Sequence, residues 1–195
     1  DGDIDYILYV EADNSLVKLI WAINNGTNLA EVTQIVLRHE DSFWKSPLND
    51  IPNPKEMPWP AWDKVNLEKY WEIGLGDYEI HEGGNKFIVM LASRGCPHAC
   101  AFCTAPFMTE RRYRVREDEE LIAEISYYVN EMGIEEIHFW DDTLSYHRKW
   151  MKNFLNQLIE TKLNITWSCF AAVNTVDREM LLLMAKSGCF RIFYG

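Results

Sequence analysis

Residues 87–106 read FIVMLASRGCPHACAFCTAP. The first seven are an apolar run of strand type, and the loop behind it carries Cys96, Cys100 and Cys103, then Pro106. Three of the chain's five cysteines therefore sit in one loop. A structural zinc site wants four ligands, commonly as two separated pairs, and no second pair is present; Cys169 and Cys189 fall in or beside later strand-like runs. Zinc with His98 as fourth ligand stays open. So does a [4Fe-4S] cluster, in which three thiolates leave one iron free for an outside ligand.

Further strand-like runs follow at EEIHFWD (135–141), ITWSCF (165–170) and FRIFY (190–194). Between them lie helical patterns. One has Leu121, Ile122, Ile125, Val129 and Met132 on a face, the next Trp150, Met151, Phe154, Leu155 and Leu158, and the last, TVDREMLLLMAKSG, closes at Gly188. Such alternation predicts an α/β fold with a parallel sheet and crossovers. The first crossover is the longest because it holds the cysteine loop. That loop follows the carboxyl end of a parallel strand, where barrels and open α/β sheets build active sites.

Upstream, Ile4–Val10 reads as a strand and NSLVKLIWAINNG as a helix whose apolar face is Leu16, Val17, Ile20 and Ile23, closed by Gly26. EVTQIVLRHEDSFWKS reads as a hairpin with HEDS as its turn. Pro47, Pro52, Pro54, Pro58 and Pro60, most of the chain's seven prolines, then predict an extended, semi-rigid linker. The expected organisation is residues 1–45, a linker over 46–85, and 86–195.

The 195 residues are 48% hydrophobic and 25% charged, a globular composition. Nineteen basic against 30 acidic residues give a net charge of -11, which argues against a general nucleic-acid surface and a polybasic membrane patch. A small-molecule substrate fits better. No apolar run reaches the roughly 18 residues of a membrane span, and DGDIDYILYV lacks the basic start of a signal peptide, so a cytoplasmic location is expected. The chain starts in one strand-like run and stops just after another, and it reads as an internal piece of a longer protein.

Cys-x-x-x-Cys-x-x-Cys with Phe102 before the last cysteine, at the end of the first strand of a βα barrel, resembles the radical S-adenosylmethionine (SAM) superfamily. The likeness continues through RRYRVR, IHFWDDT and MAKSGCFRIFYG, over about residues 86–195. MPWPAWD resembles the junction of its cobalamin-binding branch, in which a Rossmann-like domain precedes the barrel. The resemblance implies a partial (β/α) TIM-like barrel behind the tail of a cobalamin domain in residues 1–45. It implies a [4Fe-4S] cluster on Cys96, Cys100 and Cys103, and SAM chelating the open iron by its amino nitrogen and carboxylate. One electron from the cluster then breaks the S–C5' bond. Phe102 would contact adenine, partly through its backbone; its other reading is an aromatic packed under the loop. Asp141 and Asp142 stand where the family binds the methionyl amino group. Asp142 is favoured, with Asp141 as a cap or an arginine partner. The arginines of RRYRVR could reach a carboxylate, phosphate or RNA backbone, or be held by acidic neighbours such as EDEE. His98 occupies a variable position in the motif.

Implied partners are a small-molecule substrate and an electron donor such as flavodoxin or ferredoxin. The implied reaction is cobalamin-dependent methyl transfer or cyclisation. An RNA methylthiotransferase and a zinc-stapled binding module remain as alternatives. The sequence departs from the family pattern in lacking Asp-x-His-x-x-Gly, for which EIHEGG (79–84) is a near miss, and in ending at Gly195, before the stretch Gly-Ile-Glu-Ser. Cobalamin binding is therefore expected of the parent protein rather than of this piece alone.

Overall fold

The computed structural model describes residues 4–39, 42–48, 50–73 and 86–195. EIHEGG lies outside the described residues. Strand β1 (Tyr6–Leu8) leads to helix α1 (Asp13–Asn25), then β2 (Ile35–His39) and β3 (Ser42–Lys45), and the strands form an antiparallel sheet in the order β1-β2-β3. β1 is shorter than the Ile4–Val10 run because Val10 adopts φ 65°, a left-handed conformation that breaks strand geometry and turns the chain toward α1.

The buried face of α1 is not the one its large apolar residues predict. Ser15, Leu19 and Ala22 are buried, whereas Leu16, Val17, Ile20 and Ile23 are exposed. The reason is polar. Ser15 Oγ lies 3.1 Å from Gln34 Oε1 and 3.3 Å from Thr33 Oγ1, so a hydroxyl anchors the inner face over the small core of Leu19, Ala22, Val32 and Ile35.

The proline-rich stretch, expected as an extended, semi-rigid linker, is in contact with the barrel part over its described residues. It makes 3-10 turns at Pro54–Glu56 and Trp62–Lys64, leads into α2 (Leu67–Ile73), and runs as a strap along the barrel part. Trp59 Nε1 donates to Glu120 Oε1 at 2.9 Å, the Trp59 ring lies against Tyr127 and Tyr128, and Lys55 pairs with Glu117.

The barrel part begins with β4 (Phe87–Met90). Its long first crossover contains β5 (Ser93–Arg94), α3 (Ala105–Thr109), β6 (Arg114–Val115) and α4 (Asp118–Met132). Then come β7 (Glu136–Phe139), α5 (Arg148–Thr161), β8 (Thr166–Ala171), α6 (Arg178–Lys186) and β9 (Cys189–Tyr194). Strands β4-β7-β8-β9 form one parallel sheet, as four consecutive βα units of a TIM-like barrel require.

Local chemistry sets these boundaries. Asp118, Glu119 and Glu120 complement the positive end of α4, and Gly133 closes it at φ 68°. His147 caps α5 through the Trp150 N–H, and Asp177 caps α6 through the Met180 N–H. One sheet face buries Ile88, Met90, Ile137, Phe139, Trp167 and Cys169 against the helices, and every residue of the expected α5 face joins that core. On the other face His138 lies between Ser168 Oγ (2.7 Å from Nδ1) and Glu136 Oε1 (2.9 Å from Nε2). Among the described residues no helix is long and apolar enough to cross a membrane.

Candidate cofactor site

Beyond Met90 the chain leaves the sheet, and β5 and β6 pair as a short antiparallel ribbon that fixes both ends of the cysteine loop. Gly95 enters the loop at φ +89°, and a Cβ there would collide with the carbonyl oxygen of Arg112. Only glycine fits this close approach. Cys103 N–H donates to the Cys100 carbonyl at 3.1 Å, and Pro106 lies in the first turn of α3.

Cys96 and Cys103 are half-buried and Cys100 is exposed; all three are free thiols and line one cavity of about 510 Å³. Asp142, Thr143, Phe102, His98 and the end of β8 complete its wall. Cys103 Sγ accepts the Ala105 N–H at 3.4 Å, and Cys96 sulfur accepts the His98 backbone N–H. Burial still pushes the Cys96 thiol up, with Asp142 and the other two cysteines adding to the effect. Three sulfurs open to one cavity, two of them supported by backbone N–H groups, suit a cationic or cluster-type metal group that takes thiolates and leaves a position free. The donor set fits a [4Fe-4S] cluster. Cys169 and Cys189 are elsewhere, on β8 and β9, packed in or against the helix-side core.

The two acids part company. The strand ends at Phe139 and the chain bends at Asp142, so strict strand alternation does not govern them. Asp141 is 1% exposed and turned inward, where its carboxylate accepts the backbone N–H groups of Ala92 and Ser93 and the Ser93 hydroxyl. Its expected cap or arginine role is replaced by this grip on the loop entrance, and its engaged oxygens are turned from the cavity. Burial pushes its pKa up to about 6 against the pull of those hydrogen bonds. Asp142 lines the cavity and accepts the Gly95 N–H, and burial, then the nearby Glu11, raises its pKa.

Phe102 is 91% exposed, so it is not packed under the loop; it stands at the cavity wall. His98 is half-buried, edge-on to Tyr146, and also lines the cavity. The arginine run is held structurally. Arg116 pairs with Glu120 and the buried Glu124, Arg114 reaches Glu11 and the Pro52 carbonyl, Arg111 Nε donates to the Pro97 carbonyl, and Arg112 pairs with Glu110. Arg94 meets Asp13 and Glu11. These last contacts set the N-terminal unit beside the loop, and the two border a second, open cavity of about 480 Å³ that shares Cys103 and Asp142 with the first. Ser93, Gly95, Glu11 and Thr143 are the residues that sequence reasoning passed over. Gly95, beside the first cysteine, was the one with a readable signal.

A parallel βα barrel with a three-cysteine loop at the carboxyl end of its first strand is the architecture of enzymes that hold a cofactor at the barrel mouth. The family model described as the Radical SAM superfamily matches residues 90–195, and the chain belongs to that superfamily. An uncharacterized methyltransferase of Pyrococcus horikoshii is 28% identical over 193 residues, 98% of this chain and 40% of that protein. The radical SAM methyltransferase TsrM of Kitasatospora setae, solved with cobalamin and a [4Fe-4S] cluster bound, superposes with a TM-score of 0.75 at 20% identity, covering 98% of this chain and 38% of TsrM. The cobalamin-dependent radical enzyme OxsB, solved with aqua-cobalamin and SAM, gives 0.78 at 20% identity, covering 97% and 27%. The solved structures establish the fold, and the chain spans about two fifths of the length of the curated relative.

Proposed function

We propose that this chain is the cluster-holding part of a cobalamin-dependent radical SAM enzyme that transfers a methyl group to, or cyclises, a small molecule. The observation that carries the reading is the opening of Cys96, Cys100, Cys103 and Asp142 onto one cavity at the mouth of a radical SAM barrel. When bound there, a [4Fe-4S] cluster supplies the electron that cleaves SAM reductively. Cys96, Cys100 and Cys103 hold the cluster. Asp142 accepts the methionyl amino group, Phe102 flanks the adenine, and Asp141 positions the loop from below. The exposed apolar face of α1 fits the reading of residues 1–45 as part of a larger cobalamin-binding domain. A low-potential carrier such as flavodoxin or ferredoxin, and a cytoplasmic setting, complete the proposal.

The test is anaerobic reconstitution with iron and sulfide. Close to four irons per chain and a brown cluster are expected, with loss of iron for alanine at Cys96, Cys100 or Cys103 and retention for alanine at Cys169 or Cys189. A colourless protein that takes up one zinc would overturn the reading in favour of a metal-stapled module.

A further inference from the structure

The outer side of the cysteine loop is open. Cys100 is exposed, and its neighbours Ala99 and Ala101 are exposed and small, so a second surface can come close to that sulfur. Phe107, in the short helix α3 that follows the third cysteine, is 82% exposed. Exposed aromatic and arginine side chains side by side are the composition of a protein contact, and the arginines are present.

Glu110 and Arg111 are consecutive non-glycine residues in the left-handed region, at φ 51° and 59°, a conformation such residues rarely adopt and hold only where something requires it. The Arg111 side chain returns to the loop, where its Nε donates to the Pro97 carbonyl at 3.0 Å, next to Cys96. Among the described residues no carboxylate pairs with Arg111, and the side chain of Arg112, paired with Glu110, is still 61% exposed. Between Gly95 and Tyr113 the charged side chains are Glu110, Arg111 and Arg112, one acid against two bases in a chain of 30 acids and 19 bases. The loop is a positive spot on a negative protein.

That contrast selects a partner. An acidic protein is repelled by most of a surface with net charge -11 and is drawn to this face. We propose that Phe107, Arg111 and Arg112 form the docking surface for a flavodoxin, a small acidic flavoprotein whose flavin edge lies at its surface. The Phe107 ring meets the flavin edge, and the two guanidinium groups meet the acids around it. This rests on the radical SAM reading given above. The reduced flavin gives up one electron and the cluster held by the three cysteines takes it, with Cys100 the most exposed of its ligands; no bond forms or breaks at the cluster. The contact is of the small, transient kind that electron-transfer partners make.

The test is anaerobic stopped-flow mixing of the cluster-loaded chain with reduced flavodoxin at low ionic strength, followed by flavin oxidation. Iron content and the midpoint potential of the cluster are measured on each variant. Phe107→Glu and Arg112→Glu should each slow electron transfer about 10-fold, and the wild-type rate should fall steeply with added salt. Phe43→Glu, which places the same new charge on the exposed strand β3, should stay within about twofold of wild type. Photoreduced 5-deazariboflavin, a small uncharged donor, should reduce every variant at the wild-type rate, and the potentials should agree. If Arg112→Glu loses iron, Phe107→Glu, on a side chain already in water, is read alone. Flavodoxin rates equal to wild type in the loop variants overturn the docking surface. Equal slowing with 5-deazariboflavin also overturns it, because the effect then lies in the cluster and not in the contact. A ferredoxin that reacts faster than flavodoxin, with the same dependence on both residues, overturns the choice of partner. A wild-type cluster reduced by 5-deazariboflavin and not by flavodoxin overturns this proposal alone, and a chain that loads no four-iron cluster overturns the radical SAM reading beneath it.

Discussion

The carboxylate of Asp141, at the end of β7, accepts the backbone N–H of Ser93 and the hydroxyl of the same residue, two positions before Gly95. It also takes the Ala92 N–H, so the acid of one strand holds the exit of its neighbour. Asp141→Ala should strand these buried donors and lower stability by about 2–4 kcal/mol, seen as a fall in the urea midpoint. Reconstituted iron should drop with it. An alanine variant of wild-type stability would show that the grip is dispensable.

The same carboxyl makes stability pH-dependent. Its folded pKa, raised to about 6, lies above the unfolded value near 4, so the folded state holds the proton longer. Below about pH 4 both states are protonated and the contribution is fully present; between about 4 and 6 it is lost as pH rises, by up to about 3 kcal/mol. Measured against Asp141→Asn, which has no such group, wild type should lose relative stability over that window. A flat difference would remove the claim.

Gly95→Ala tests the loop entrance. The new methyl meets the Arg112 carbonyl at a left-handed backbone position, so the loop must shift. Iron uptake should fall severalfold while the far-ultraviolet circular dichroism of the helices is kept.

The buried pair of Arg116 and Glu124 carries the strongest stability prediction. Glu124 is fully buried, and Glu124→Ala leaves the guanidinium with the more exposed Glu120 and the Leu91 carbonyl, and strands the Tyr128 hydroxyl. A loss of about 3–5 kcal/mol is expected by chemical denaturation. Glu124→Leu combined with Arg116→Met should lose markedly less, since no buried charge is then left unpaired.

Much of this was legible in the sequence where large apolar residues do the packing. The α5 face from Trp150 to Leu158 and the four barrel strands follow from periodicity, and the cysteine loop from its spacing. What escaped is polar. Periodicity counts Leu16 and Ile20 and is blind to Ser15, whose hydroxyl turns α1 by bonding Gln34. It cannot see that Glu124 belongs inside, because the reason is an arginine outside the helix. Nor can it separate two adjacent aspartates when a bend, not a strand, carries them. Those choices depend on partners distant in the chain, and they are made only when the fold brings the partners together.

Arg94 immediately precedes Gly95 and Cys96, and its guanidinium is clasped by Glu11 and Asp13 at the start of α1. Mechanically this is a crank: the guanidinium is one arm, the left-handed glycine the elbow, and the first cysteine the other arm. A tilt of the first turn of α1 would pull on Arg94, two residues before Cys96. The start of α1 and the entrance of the cysteine loop are therefore clasped by one guanidinium, so that a displacement of either is resisted by the other.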